Sequence, residues 1–473
     1  MSLKFGTSGL RGLSVDLKGR PSYVYASAFA VFLLRSGLAK VGDRVLVAYD
    51  FRESSPAIAA NVLAAVRDHG LVAVDCGLIP TPALAFYGFQ TGAASMMVTG
   101  SHIPADRNGI KFYLPDGEIA KPDELAILAI ANELHDIAIP APSAGTDFDN
   151  GSGEATSLFL RRNQSLLATN ALAGMRVGNY QHSTVARDML SEILRYYGAE
   201  VVDLGRSTDF IPVDTEAVSQ ATLDLLKAWA GEHSLDAIIS ADGDGDRPLI
   251  ADEYGEPVSG DLCGLIAARF LGADAIVTPI TSNSGIDRGG FAQVIRTRVG
   301  SPYVIAGMQD ALNGSAGVVG FEANGGTLTA STFAVAGGDL LPLPTRDSFL
   351  PILAVLSSAR AAGLTLSDLK AGLGLPVTAA DRLENYATER STALMAKLRG
   401  SEEQLRQFVE PLGELAGIDE TDGLRVALSS GKIVHFRPSG NAPEMRCYVE
   451  DTNAESARRL LDDGLRLLRE FRA

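Results

Sequence analysis

The sequence predicts an α/β protein, with three consecutive related α/β units followed by a smaller α+β domain. Three observations predict it. Strand-like and helix-like apolar periods alternate from residue 23 onward, the pattern resumes twice after turn-rich breaks, and its grammar changes after "AGLGLP" (371–376). A chain of 473 residues is also too long for one core and fits roughly three or four domains of about 100–200 residues each.

In chain order, residues 23–37 ("YVYASAFAVFLLRSG") carry helical spacing, "RVLVAYD" reads as a buried strand, "PAIAANVLAAVRDHG" as a helix ending at glycine, and "LVAVDCG" as a strand. Such alternation implies parallel βαβ units with ligand loops at the carboxyl ends of strands. The stretch 139–157, rich in Pro, Gly, Ser and acids, reads as a linker closing a first domain assigned to 1–145. A second unit, 146–256, runs through "GMRVGNY", the helical "STVARDMLSEILRYYG", the strand "AEVVDLG", the helical "EAVSQATLDLLKAWAGEH" and the strand-like "LDAIISADGDGDRP". A third, 257–370, alternates again through "GDLCGLIAARFLG", "DAIVTPI", "FAQVIRTRVG", "PYVIAGMQDALNG" and "AGVVGFEANGG". The last domain, 371–473, predicts helices around 387–409, hairpin strands in "RVALSSGKIVHFRP" and "EMRCYVE", and a terminal amphipathic helix "AESARRLLDDGLRLLREF".

Composition narrows the function. A formal charge of −16 argues against nucleic acid or an anionic membrane as the partner, since both require a broad basic surface. Any anionic ligand therefore needs cations gathered locally. The apolar runs fall short of the roughly 18 residues that cross a bilayer, and no secretory leader opens the chain, so a cytoplasmic location is expected. Cys76, Cys263 and Cys447 lie too far apart for metal pairs or a disulfide framework, and core positions are expected for them.

The sharpest chemical signal is "ADGDGDRP". Asp242, Asp244 and Asp246 are separated only by glycines, which lets the backbone turn three carboxylates onto one centre. Three such acids repel unless a cation sits among them, and hard oxygen ligands select magnesium or calcium. An EF-hand is excluded, because Arg247 stands where its turn needs glycine and a strand precedes the loop. A metal held by three carboxylates keeps positions open for a phosphate oxygen, which Arg247 also suits.

"TGSHIPADRNGIKFY" (Thr99–Tyr113) is less specific alone. It lacks the GxSxG elbow of a serine hydrolase, and a plain turn explains Ser101 equally well. Coupled to a metal loop, however, a serine hydroxyl can accept a phosphoryl group whose charge the metal and Lys111 would neutralise. "FGTSGLRG" supplies a further cation, Arg11, on what otherwise reads as an entry turn, and "YDFRESSP" reads as structure, with Ser54 or Ser55 capping a helix. "GFEANGG" presents Glu322 and Asn324, groups suited to sugar hydroxyls, although a turn without a ligand accounts for it as well. "RPSGNAPEMR" offers Arg437, Ser439, Gly440 and Asn441 in a turn whose amides can form a phosphate nest. The scattered histidines at 69, 135, 182 and 233 show no metal-ligand spacing.

Read in that order, the serine loop, "DGDGDR", "GFEANGG" and "RPSGNAP" make the whole chain resemble the α-D-phosphohexomutase superfamily, and within it the phosphomannomutases. The resemblance implies three α/β/α domains and a C-terminal α+β domain around a central cleft. It implies that Ser101 is the phosphoserine of the active enzyme and that Asp242, Asp244 and Asp246 hold Mg2+ together with a seryl oxygen. Arg11, His102, Lys111 and Arg247 match positions near the transferring group; Glu322 and Asn324 match the sugar-reading loop; Arg437, Ser439, Gly440 and Asn441 match the loop for the non-reacting phosphate. The implied reaction interconverts mannose 6-phosphate and mannose 1-phosphate through a hexose 1,6-bisphosphate, which also serves as the activator that phosphorylates Ser101. Phosphoglucomutase, phosphoglucosamine mutase and a non-catalytic sugar-phosphate binder are the alternatives, and a monomer or homodimer is expected. The chain departs from the family pattern at Ile103, Asn324, Gly326, Asn441 and Ala442; many relatives carry histidine where Gly326 stands.

Overall fold

The computed structural model describes residues 3–6, 9–136, 148–439 and 443–471. The chain separates into two compact units, one formed by 1–276 with 300–370 and the other by 277–299 with 371–473. The predicted linker lies outside the described residues as far as Asp147, and its remainder is a different element, since the helix Ser152–Gln164 begins inside it.

The larger unit begins with an eight-stranded sheet. At its heart Arg44–Tyr49 pairs in parallel with both Val72–Gly77 and Ala94–Val98. Val45, Leu46, Val47 and Ala48 are all buried, as the central strand of a sheet covered on both faces requires. The helix Arg20–Ser36 opens with Pro21 in its first turn and stops at Gly37, whose φ of 74° only glycine adopts cheaply. The sheet is not wholly parallel. Arg107–Leu114 returns antiparallel beside Ala94–Val98, with Lys111 opposite Met97, and Gly9–Leu13 then pairs with it so that Arg11 faces Gly109. Lys4–Gly6 pairs antiparallel with Gly9–Leu13, so the described residues of "FGTSGLRG" lie in edge strands of this sheet. Alternation along Arg107–Leu114 sends Ile110 and Phe112 into the apolar core and Lys111 and Tyr113 to the other face.

The second sheet has Arg176–Tyr180 at its centre, parallel to Glu200–Leu204 and Ala237–Ala241. In the run "LDAIISADGDGDRP" the strand ends at Ala241, just before the acids, and the chain returns antiparallel as Pro248–Ala251 with Ala241 opposite Pro248. Asp242–Arg247 is therefore a hairpin loop. In the third sheet Val318–Phe321, Thr327–Thr329 and Leu343–Asp347 pair antiparallel in sequence, which makes Glu322–Gly326 a hairpin loop too. Ser101, Asp242 and Glu322 all follow the carboxyl ends of strands, the positions where α/β sheets expose ligand loops.

In the smaller unit a five-stranded antiparallel sheet carries the helices Thr388–Gly400, Glu402–Val409 and Ala454–Glu470. The terminal helix buries Ala457, Leu460, Leu461, Gly464, Leu465 and Leu468, one stripe at helical spacing, and Asn453 caps it by accepting from the Ser456 N–H at 2.9 Å. Among the described residues no single helix is long and apolar enough to cross a membrane.

Candidate active site

Ser101 sits directly after the buried strand Ala94–Val98, in a left-handed conformation with φ of 53°. A non-glycine residue pays about 1–2 kcal/mol for that conformation, so the surroundings must impose it. Arg52 is what imposes it. Its fully buried guanidinium donates to the carbonyls of Ser101 (2.9 Å), Ile103 (2.6 Å), Pro104 (2.7 Å) and Arg107 (2.8 Å), and its Nε donates to Asp50 at 3.2 Å. Asp50 in turn accepts from Thr99 Oγ1 at 2.7 Å, and Thr99 Oγ1 accepts from the Ser101 N–H at 2.7 Å, closing a ring around the serine. Gly100 has no choice of residue: a Cβ there would lie 2.5 Å from the Arg52 guanidinium carbon. The expected capping role of Ser54 and Ser55 is not what the structure shows. Neither hydroxyl caps the helix Ser55–Asp68; Ser55 donates to Asp50 at 2.5 Å and Ser54 accepts from Asn108 at 2.8 Å, so both brace the same loop.

The serine loop and the aspartate loop, separated by 141 residues in sequence, meet. Ser101 Oγ donates to Asp242 Oδ2 at 2.5 Å. A Cβ on Gly243 would lie 2.9 Å from the Ser101 carbonyl oxygen, and Gly245 needs its φ of 74° beside Pro80 and Ala186, which explains the glycine spacers between the acids. Asp242, Asp244 and Asp246 are fully buried, with ligand oxygens within 4.8 Å of one another. Lys111 Nζ bridges Asp244 Oδ2 at 2.5 Å and Asp246 Oδ2 at 2.6 Å, while Oδ1 of each has no hydrogen-bond partner among the described residues and that of Asp246 pairs only loosely with Arg247 Nε at 3.7 Å.

Electrostatics splits the triad. Burial and its two acidic neighbours push Asp242 up to about 8. Burial acts on Asp246 in the same direction, but Arg346, Lys111 and Arg247 overcome it and hold that carboxyl well below the usual range. Three buried carboxylates, two of whose oxygens make no hydrogen bond among the described residues, form a hard-oxygen set that fits a divalent cation.

The cations demanded by an anionic ligand are also here. Arg11 donates to the Gly100 carbonyl at 3.1 Å, and burial together with repulsion from Arg247 lowers its pKa to about 10, the signature of crowded positive charge. Arg247 donates to His102 Nδ1 at 2.8 Å; a guanidinium cannot accept, so the His102 proton resides on Nε2. Burial and Arg247 hold that ring down at about 3, hence neutral, and it also lines a cavity of about 270 Å³ with Pro104, Asp214, Ser219 and Thr222.

Glu322 and Asn324 are buried on their hairpin, with Asn324 Oδ1 accepting from Gly326 N–H at 3.0 Å. Arg346, which sequence reasoning missed, joins this loop to the triad by donating to Glu322 Oε2 at 3.0 Å and Asp246 Oδ2 at 2.9 Å. Its only signal in the sequence was a charged pair in "TRDSFLP", otherwise an apolar context. Arg437 and Ser439 belong to the smaller unit, where Arg437 Nε donates to Asp422 at 2.8 Å and the Ser439 N–H to the Glu444 carbonyl at 3.0 Å. Gly440 and Asn441 lie outside the described residues.

Comparison with known proteins bears on this arrangement. Residues 2–137, 159–255 and 259–373 match the family models described as phosphoglucomutase/phosphomannomutase α/β/α domains I, II and III. A phosphomannomutase of Sinorhizobium fredii is 53% identical over 99% of both chains. A phosphomannomutase of Salmonella muenchen is 39% identical over 98% of this chain and 95% of its own. Among solved structures, a candidate phosphomannomutase of Thermus thermophilus shares the fold with a TM-score of 0.76 at 24% identity, covering 99% of each chain.

Proposed function

We propose that this chain, which belongs to the phosphoglucomutase/phosphomannomutase family, interconverts mannose 6-phosphate and mannose 1-phosphate by way of a phosphoryl group carried on Ser101. The phosphomannomutase relatives support the choice of sugar. One observation carries the chemistry: the Ser101 hydroxyl stands 2.5 Å from Asp242 in a triad that retains two carboxylate oxygens without a hydrogen bond among the described residues.

In this reading Ser101, Asp242, Asp244 and Asp246 would hold Mg2+. When bound, the ion offsets the charge of the transferring phosphoryl group and its flanking oxygens. The chain's own residues do the rest. A hexose 1,6-bisphosphate first loads the serine: the sugar–phosphate bond breaks, the Ser101 Oγ–P bond forms, and the serine proton goes to the departing sugar oxygen. The phosphoserine then gives its phosphoryl group to the free hydroxyl of mannose 6-phosphate, whose proton returns to Ser101 Oγ. The bisphosphate so formed presents its other phosphate to Ser101, and mannose 1-phosphate leaves. Phosphoryl transfer demands mainly positioning and charge stabilisation. Lys111, Arg11 and Arg247 supply positive charge, and His102, neutral with its proton on Nε2, donates a hydrogen bond. Glu322 and Asn324 read sugar hydroxyls, and Arg437, Ser439, Gly440 and Asn441 are the residues assigned to the non-reacting phosphate.

The local cations also resolve the contrast between a net charge of −16 and a dianionic substrate, because a cleft of converging cations binds an anion whatever the overall sign. The test is turnover of mannose 1-phosphate and glucose 1-phosphate with a trace of hexose 1,6-bisphosphate, with and without chelator. Mannose 1-phosphate should be the better substrate, and chelation or Ser101→Ala should stop the reaction; full activity after either change refutes the proposal.

A further inference from the structure

We infer that Arg346 is a positioning residue for sugar binding: it sets the carboxylate of Glu322 by anchoring it to Asp246, and position 326 is glycine so that the arginine stem can pass. The inference rests on the reading of Glu322 as a sugar-hydroxyl acceptor.

Arg346 lies in the strand Leu343–Asp347, 2% exposed. Its planar fork is divided between two loops. Nε and one terminal nitrogen donate to Asp246 Oδ2 at 3.1 and 2.9 Å, and the other terminal nitrogen donates to Glu322 Oε2 at 3.0 Å. A lysine ammonium could not reproduce this, because its point charge lacks the fixed angle between the two sets of donors. Glu322 is itself 5% exposed, and a carboxylate that deep needs a hydrogen-bonded cationic partner to offset its lost hydration and hold its position. The contact engages Oε2, which fixes the direction of Oε1.

Gly326 supplies the second observation. A Cβ there would lie 2.6 Å from Arg346 Cδ, 2.7 Å from Cγ and 2.9 Å from Cβ. These are stem atoms beside the paired residues Thr327 and Asp347, with no loose end to swing aside. Gly326 and Arg346 therefore form one device: no side chain from 326 enters this part of the site, and the arginine takes the space.

The experiment measures the dissociation constant of mannose 1-phosphate by calorimetry on unphosphorylated protein, alongside KM and kcat. The variants are Arg346→Met, Glu322→Ala, their combination, and Gly326→Ala. Arg346→Met and Glu322→Ala should each weaken binding about tenfold, with KM rising more than kcat falls, and the double variant should be no weaker than the worse single within about twofold. Gly326→Ala, which keeps the charge but displaces the stem, should reproduce Arg346→Met and replaces it if that variant does not fold. A dissociation constant within about twofold of wild type in the variant that folds, or losses that multiply in the double variant, overturns the inference. If wild type binds mannose 1-phosphate without turning it over, the mutase reading fails while the binding arm still decides; if wild type does not bind it, both fall.

Discussion

Ser101 is held in an unfavourable backbone region by a ring of hydrogen bonds that begins and ends on Arg52. A nucleophile is only as well placed as the groups that fix its carbonyl and N–H. Arg52→Met strands four loop carbonyls and leaves Asp50 buried without its cation, whereas wild-type Asp50 is already raised by burial against the pull of Arg52. Breaking a buried pair in this way costs about 3–5 kcal/mol, so urea unfolding of the variant should show a loss of that size, and added guanidinium ion should restore part of the activity. The Phe210 ring, 4.1 Å from the Arg52 guanidinium, should contribute far less; Phe210→Leu is expected to cost about 1 kcal/mol beyond lost area. Neither residue was legible as part of the site. An arginine after a strand reads as ordinary, and its partners lie about fifty residues away in sequence.

At the scale of elements, most of the fold was legible because apolar periodicity reports which faces are buried. The strands Arg44–Tyr49, Val72–Gly77 and Val318–Phe321 and the helices Gly260–Leu271 and Ala454–Glu470 all fall within the stretches read from the sequence. What periodicity cannot show is where the chain turns back. In "LDAIISADGDGDRP" the strand and the acidic loop after it are legible, but not that Pro248–Ala251 returns beside that strand, and this hairpin is what points three carboxylates inward. The helix Phe349–Ala362 escaped notice for a related reason: Phe349 through Ser357 are all buried, so no polar face marks it. In the terminal helix, Gly464 marks a close approach, since a Cβ would meet Cys447 Sγ at 2.8 Å. Gly464→Ala should therefore destabilise the smaller unit by about 1–3 kcal/mol despite better helix propensity, read as faster hydrogen exchange across residues 424–470.

Across the whole molecule, buried histidines tie stability to pH. Burial lowers His182 to about 4 in the larger unit and His435 to about 4 in the smaller. Each stays neutral in the folded chain while the unfolded chain takes up a proton near pH 6.5, so stability is full above that value and falls as pH drops toward about 4. Each contributes about 2–3 kcal/mol. His182→Gln and His435→Gln should thus regain ground on wild type by that amount between pH 7 and pH 4.5 in urea titrations; a gap unchanged with pH contradicts the assignment. The functional plan was legible at this scale because four motifs stand in order along the chain, and the charge argument demanded clustered cations that Arg11, Lys111 and Arg247 supply. Arg346 was not, because its role exists only where separate loops converge. The central claim, that Ser101 carries the phosphoryl group, is tested most directly by phosphopeptide mass spectrometry after exposure to mannose 1,6-bisphosphate. One phosphate on Ser101 that disappears when mannose 6-phosphate is added is the predicted result; turnover with Ser101 unmodified throughout would contradict it.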